Sequence, residues 1–495
     1  MASLDQLCAA ALSHPGSQPA IEFEQHWISW GEVRHLAERL VALLDASGAG
    51  AGATVAFVAR NRPSALAALL GMLAQRCSIR MVYPFQSAAA LASDLERIAP
   101  AVVVADGDDY SDAVVTVLQS CGAAGIALRD MDASAVAGCA RTRAPDDCNS
   151  PPQIEVLTSG TTGPPKPFAL SYELVAQHIV APGTLPANPN AEYAALAPAL
   201  LMFPVSNISG LYSTLPALLN GQRIVLLERF TVAGWHDHLL RFRPQASGLP
   251  PAGIQMVLDA GIPPADLACL RGIGTGAAPL DPGAHRAFEE RYGVPILLSY
   301  GATEFGGPVT RMTAELHTIW GSRKFGSVGC ALPGVRLRVI DADTGTVLAT
   351  GQQGILEVVA PRIGPHWIRT SDIALIDDDG FLFHCGRADG AIMRGGFKLL
   401  PAIIEQSLLL HPAITAAAVV GITDHRLGQV PAAAIEFRTG VEKPSIDAIE
   451  SHLRDHVPAT HIPVAWRIVE DIPRTPSMKV DLPAVRRLFD SDVTN

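Results

Sequence analysis

Leu157-Thr158-Ser159-Gly160-Thr161-Thr162-Gly163-Pro164-Pro165-Lys166 gathers four hydroxyls, two glycines and a lysine within ten residues. Thr158, Ser159, Thr161 and Thr162 supply O–H donors. Gly160 and Gly163 let the backbone turn tightly and approach a ligand closely. Successive N–H groups in such a turn form an anion-binding concavity, and Lys166 adds a point charge. The composition suits a loop that holds phosphate. A Ser/Thr/Gly surface turn has similar residues, but few end in Pro-Pro-Lys after an apolar run such as Ile154 to Leu157. The stretch is not a Walker A loop, which needs Gly-Lys-Ser/Thr at its end. Here Lys166 follows Pro165 and precedes Pro167.

Upstream, residues 1 to about 150 alternate helical and strand-like stretches. Ser29 and Glu32 form a capping pair ahead of Val33, Leu36, Leu40, Leu43 and Leu44, which have helical spacing. Thr54 to Ala59 and Ala101 to Ala105 read as buried strands, and Ser64 to Gln75 as a helix. This alternation predicts sheets covered by helices. The polar stretch from Arg141 to Pro152 reads as a loop.

Downstream, Ile296 to Glu304 reads as a buried strand ending in Ser299-Tyr300-Gly301-Ala302-Thr303-Glu304. An aromatic, a hydroxyl and a carboxylate thus stand at a strand C-terminus, where ligands of α/β proteins gather. Together with the opening loop, this motif resembles the acyl-adenylate-forming superfamily: acyl-CoA synthetases, adenylation domains and luciferases. Further resemblances follow in order as far as Lys479. Gly274-Thr275-Gly276-Ala277-Ala278-Pro279 resembles the adenine-binding segment. Asn207, in Leu201 to Gly210, stands where the family usually has a histidine lining the acyl pocket. Arg369-Thr370-Ser371-Asp372 resembles the ribose-binding motif, with Ser371 for glycine. Gly386-Arg387-Ala388-Asp389 resembles the hinge region, Arg394 to Lys398 a glycine-containing segment of the thioester step, and Pro473 to Lys479 the lysine motif. Met478 replaces a glycine there, and Ile403 a carboxylate ahead of Glu405.

The resemblance implies that Tyr300 packs on adenine with Gly276, Ala277 and Ala278. Asp372 takes the ribose hydroxyls, and Arg387 contacts ribose or phosphate. Thr303 contacts phosphate, Glu304 holds Mg²⁺, and Lys479 bridges the acyl carboxylate and the α-phosphate. Asn207, Gly301 and Gly306 are expected at the acyl pocket, where glycines favour an aryl or medium-length acid. Asp389 is the expected hinge, and Gly396 faces coenzyme A. The fold implied is α/β: a large N-terminal domain (1–388) of helix-covered sheets, and a small α+β C-terminal domain (389–495). In the latter, Pro401 to Leu410 and Ser445 to His456 read as helices and Ala416 to Val420 as a strand. The acidic run Asp377 to Asp379 before Gly380 reads as a solvated hairpin turn.

A chain of 495 residues with 48% apolar and 17% charged residues is globular and exceeds one core. A net charge of -11 argues against nucleic acid as a partner. Eight cysteines without a CxxC pair predict inert thiols, neither a metal site nor a disulfide framework. The N-terminus lacks the basic region of a signal peptide, and no apolar run reaches a membrane span. The expected enzyme is a cytoplasmic AMP-forming acid–thiol ligase using ATP, Mg²⁺ and coenzyme A, as a monomer or homodimer. A stand-alone enzyme that loads a carrier protein, and a nucleotide- or acyl-binding protein without catalysis, are the alternatives.

Overall fold

The computed structural model describes residues 2–142, 151–158, 166–180, 196–388, 390–394, 397–424, 427–475 and 478–490, with backbone alone at 158, 166, 397 and 398. Contacts divide them into two compact units. The first holds the described residues up to 244 and residues 302–307. The second holds residues 245–301 and those from 308 onward.

The first unit is built on a seven-stranded sheet. Its order is Asp132–Ala135, Ala124–Arg129, Val102–Asp106, Thr54–Val58, Ser78–Val82, Gln153–Thr158 and Lys166–Ser171. The five inner strands run parallel, and an antiparallel strand closes each edge. Parallel pairing buries both faces, which explains why Thr54–Val58 and Val102–Asp106 read as unbroken apolar runs. Helix Pro63–Ala74 is buried all round, as its apolar sequence requires. Helix Trp30–Ala46 begins with the expected capping box: Ser29 accepts from Glu32 N, and the Glu32 carboxylate accepts from Ser29 N at 2.8 Å. Val33, Leu36, Leu40 and Leu44 are its buried stripe, and Leu43 packs at the margin. A smaller sheet, Ala199–Leu201, Ile224–Leu226, Pro19–Phe23 and His26–Ser29, completes the unit.

The second unit contains parallel strands Ala246–Gly248, Gly272–Thr275 and Ile296–Ala302. An antiparallel sheet follows: Arg336–Ile340, Gly354–Val359, Ile368–Ile376 and Leu382–Arg387. Then come strands Ile392–Arg394, Phe397–Leu399, Ile414–Asp424, Gly428–Phe437 and Ala465–Val469 in one sheet, with helices Pro401–Leu409 and Ile446–Arg454. The expected C-terminal elements are therefore present. The strand read at Ala416 to Val420 is longer, because its partner pairs with it from Ile414 to Asp424.

The acidic run corrects its own expectation. It does lie in a hairpin between Ile368–Ile376 and Leu382–Arg387, with Gly380 at φ 81°. Its carboxylates are not simply solvated. Asp377 and Asp379 grip the Lys324 ammonium at 2.7 and 2.5 Å, and Asp377 Oδ1 also accepts from Asp379 N and Phe381 N.

Candidate nucleotide- and acid-binding site

In the second unit, Asp372 is the centre of a polar cluster. It lies in Ile368–Ile376 directly opposite Arg387. Thr370 Oγ1 accepts from Asp372 N at 3.0 Å and donates to Leu356 O at 2.8 Å, which pins the backbone. Asp372 as a whole is only 7% exposed. Tyr300 donates its hydroxyl proton to Oδ2. On Oδ1, Arg387 stands at 3.4 Å and His384 Nε2 at 3.3 Å. Burial alone would raise the Asp372 pKa. The hydrogen bonds from His384 and Tyr300, with the nearby charges, outweigh it and hold the carboxyl below its ordinary range.

Residue 384 belongs to none of the motifs read from the sequence. Simple strand alternation places residues 384 and 387 on opposite faces. The pairing runs Asp372↔Arg387, Ile373↔Gly386 and then Ala374↔His384, so Cys385 is an extra residue. Such a bulge returns both side chains to the face of Asp372. Gly386 permits it by adopting φ 116°. The glycine before Arg387 was the available signal, because a glycine inside a strand marks a bulge.

Strand Gly272–Thr275 runs beside Ile296–Ala302 and leads into Gly276, Ala277 and Ala278. A Cβ at Gly276 would stand 2.8 Å from Ser299 O, so the neighbouring strand already uses its small size. Ala277 takes φ 67°, which costs a non-glycine residue roughly 1–2 kcal/mol. The Thr275 hydroxyl is buried and makes no hydrogen bond among the described residues.

In the first unit, Thr303–Phe305 form a single 3-10 turn packed against strand Gln153–Thr158. Phe305 is buried and anchors the turn, while Glu304 is exposed. Thr158 and Lys166 pair as the facing ends of two antiparallel strands. Ser159, Gly160, Thr161, Thr162 and Gly163 lie outside the described residues. So do Asp389 and Gly396. Gly306 and Gly307 follow the turn at φ 65° and 118°. A Cβ on Gly307 would meet the Tyr212 ring at 2.3 Å, so that side of the glycine pair is filled rather than open.

Asn207 caps helix Ile208–Leu219: its Oδ1 accepts from Gly210 N at 2.8 Å. Gly210 is required by packing, since a Cβ there would lie 1.9 Å from Pro204 O. In the second unit, Lys479 is partly buried in a tight turn whose flanks, Arg474 and Val480, bridge. Thr475 N donates to Lys479 O at 2.7 Å, and Lys479 N donates to Thr475 Oγ1 at 3.2 Å. Met478 stands at φ 63°, the conformation a glycine would take there.

The profile described as "AMP-binding enzyme" matches residues 8–364, and that of its C-terminal domain matches residues 403–479. Indoleacetate–CoA ligase of Aromatoleum aromaticum is 30% identical over 96% of both chains. 4-Coumarate–CoA ligase 3 of rice (Oryza sativa subsp. japonica) is 28% identical over 97% of this chain and 90% of that one. Two solved structures share the fold. ATP-bound MatB from Rhodopseudomonas palustris superposes with a TM-score of 0.79 at 23% identity, over 99% of each chain. o-Succinylbenzoate CoA synthetase of Bacillus subtilis gives 0.76 at 20%, over 97% of each. No helix among the described residues is long and apolar enough to cross a membrane. The matches span nearly the whole sequence, and the chain belongs to the AMP-binding enzyme family, within the acyl-adenylate-forming superfamily, as an AMP-forming acid–thiol ligase.

Proposed function

We propose that this ligase activates an aryl or medium-length carboxylic acid with ATP and passes the acyl group to coenzyme A. The observation that carries the nucleotide half is Asp372. It is a buried carboxylate kept ionised beside an aromatic ring, and thus suited to accept a hydrogen bond from a ribose hydroxyl next to a flat base. In the first half-reaction a carboxylate oxygen bonds to the α-phosphorus, and the bond to pyrophosphate breaks. Charge gathers on phosphoryl oxygens, so positioning and electrostatics supply the catalysis. Lys479 serves as the cation between the carboxylate and the α-phosphate, and Thr303 as a phosphate donor. Glu304 is an exposed single carboxylate, which fits Mg²⁺ completing its shell with phosphate oxygens and water. The ion, when bound, neutralises phosphate charge. In the second half-reaction the coenzyme A sulfur bonds to the acyl carbon and AMP departs. Rotation about Asp389, which brings Gly396 toward the thiol, belongs to this proposal.

Two relatives named for the aryl acids indoleacetate and 4-coumarate support an aryl substrate. The coverage of relatives named as CoA ligases favours free coenzyme A over a carrier protein. Acid-dependent ATP–pyrophosphate exchange over aryl, branched and straight-chain acids tests the reading. Exchange strongest with an aryl or medium-length acid, followed by thioester formation on adding coenzyme A, is expected. Exchange with no acid would overturn it.

A further inference from the structure

We propose that His384 is a further nucleotide-positioning residue, which sets the Asp372 carboxylate and the Tyr300 ring relative to each other before nucleotide binds. The proposal rests on the reading of Asp372 as the ribose acceptor. His384 touches both groups at once. Its Nε2 lies 3.3 Å from Asp372 Oδ1, and its ring stacks on that of Tyr300 with centroids 5.9 Å apart and planes at 30°. Tyr300 closes the triangle by donating to Asp372 Oδ2. Three side chains from three strands, Ile296–Ala302, Ile368–Ile376 and Leu382–Arg387, are therefore locked together.

Arg387 cannot substitute for this anchor. Its side chain is 43% exposed, against 21% for His384, and it also donates to Ser371 Oγ. The imidazole is the inner partner, with fewer rotamers to lose. An ionised carboxylate offers about four acceptor positions. Among the described residues, donors from His384 and Arg387 fill Oδ1 and the Tyr300 hydroxyl takes one position on Oδ2, which leaves one position on Oδ2 for an incoming hydroxyl. Its direction is set by how the carboxylate is turned, and His384 sets that turn. Losing the imidazole donor frees the carboxylate to rotate away from the hydroxyl it must accept. The bulge at Cys385 and Gly386 on the same strand places this side chain on the face of Asp372.

The test measures equilibrium binding of AMP and of 2′,3′-dideoxy-AMP by calorimetry. The proteins are wild type, Asp372→Ala, His384→Phe and His384→Gln, each checked for folding by thermal unfolding. Wild type is expected to prefer AMP by about tenfold, the worth of one charge-assisted hydrogen bond. Asp372→Ala brings the two affinities together. His384→Phe keeps a stacking ring but lacks the donor, and it reduces the preference severalfold. His384→Gln keeps an N–H at the Nε2 position and restores most of the preference. A role in packing alone would lower both affinities equally and leave their ratio intact. An unchanged ratio in His384→Phe, where Asp372→Ala abolishes it, overturns the proposal while the ribose assignment stands. An unchanged ratio in Asp372→Ala overturns the ribose assignment, and the positioning role with it.

Discussion

Met478 and Glu304 set the terms at the scale of single residues. Met478 holds a left-handed conformation at φ 63° one residue before Lys479. A side chain there costs roughly 1–2 kcal/mol relative to glycine. Met478→Gly should relieve that strain, and denaturant unfolding should show a gain of this order. Adenylation also speeds up if the strain limits delivery of Lys479. A less stable or slower variant would mean that the methionine side chain packs usefully. Glu304 is exposed on its 3-10 turn, so Glu304→Gln should leave the fold intact. It should weaken the first half-reaction by ~2–4 kcal/mol of transition-state stabilisation. Unchanged exchange kinetics at limiting magnesium would contradict its assignment as the metal ligand.

Elements explain why some features were legible in the sequence and others were not. The capping box at Ser29 and Glu32, the apolar strands and the fully apolar helix Pro63–Ala74 follow from local pattern, and local pattern decides them. His384 was not legible, because a bulge reverses its face and strand alternation alone does not report a bulge. The grip of Asp377 and Asp379 on Lys324 joins residues more than fifty positions apart, which no local window contains. Asn207 stands at the family's histidine position, and its oxygen caps a helix, as an asparagine at a helix start commonly does.

Helix Pro401–Leu409 and strand Ile414–Asp424 carry a pH dependence of their own. Glu405 Oε1 accepts from Val419 N at 2.8 Å. Burial pushes the Glu405 carboxyl up to about 7, and the Val419 hydrogen bond only partly opposes it. The folded state thus prefers the protonated form. Its stabilising effect is complete below the ordinary carboxylate range and is lost as pH rises through about 7. Glu405→Gln stays neutral and keeps the acceptor. Thermal unfolding should show little change at pH 5 and a gain of roughly 1–3 kcal/mol at pH 8. Equal effects at both pH values would contradict the assignment.

At the scale of the whole molecule, the chain carries its motifs in one order from Leu157 to Lys479, and that order made the family legible. Taken singly, the loop at 157–166 and the motif from Tyr300 to Glu304 are specific and the other motifs are weak, whereas independent coincidences multiply. Motif order does not report side-chain geometry, and so the partners of Asp372 had to be seen in the fold. The proposal of one C-terminal segment serving two half-reactions predicts opposite losses. Lys479→Ala should abolish acyl-AMP formation yet still pass a pre-made acyl-adenylate to coenzyme A. Asp389→Pro should do the converse, because proline fixes φ near about -65° and hinders rotation.

The most direct measurement runs the two half-reactions separately on purified wild type, Lys479→Ala and Asp389→Pro. Acid-dependent pyrophosphate exchange reads the first half, and thioester formation from synthetic acyl-AMP reads the second. Wild type should perform both, Lys479→Ala only the second, and Asp389→Pro only the first. Folded variants that lose both halves equally would contradict the alternating mechanism, and a wild type without exchange on any acid would contradict the adenylation itself.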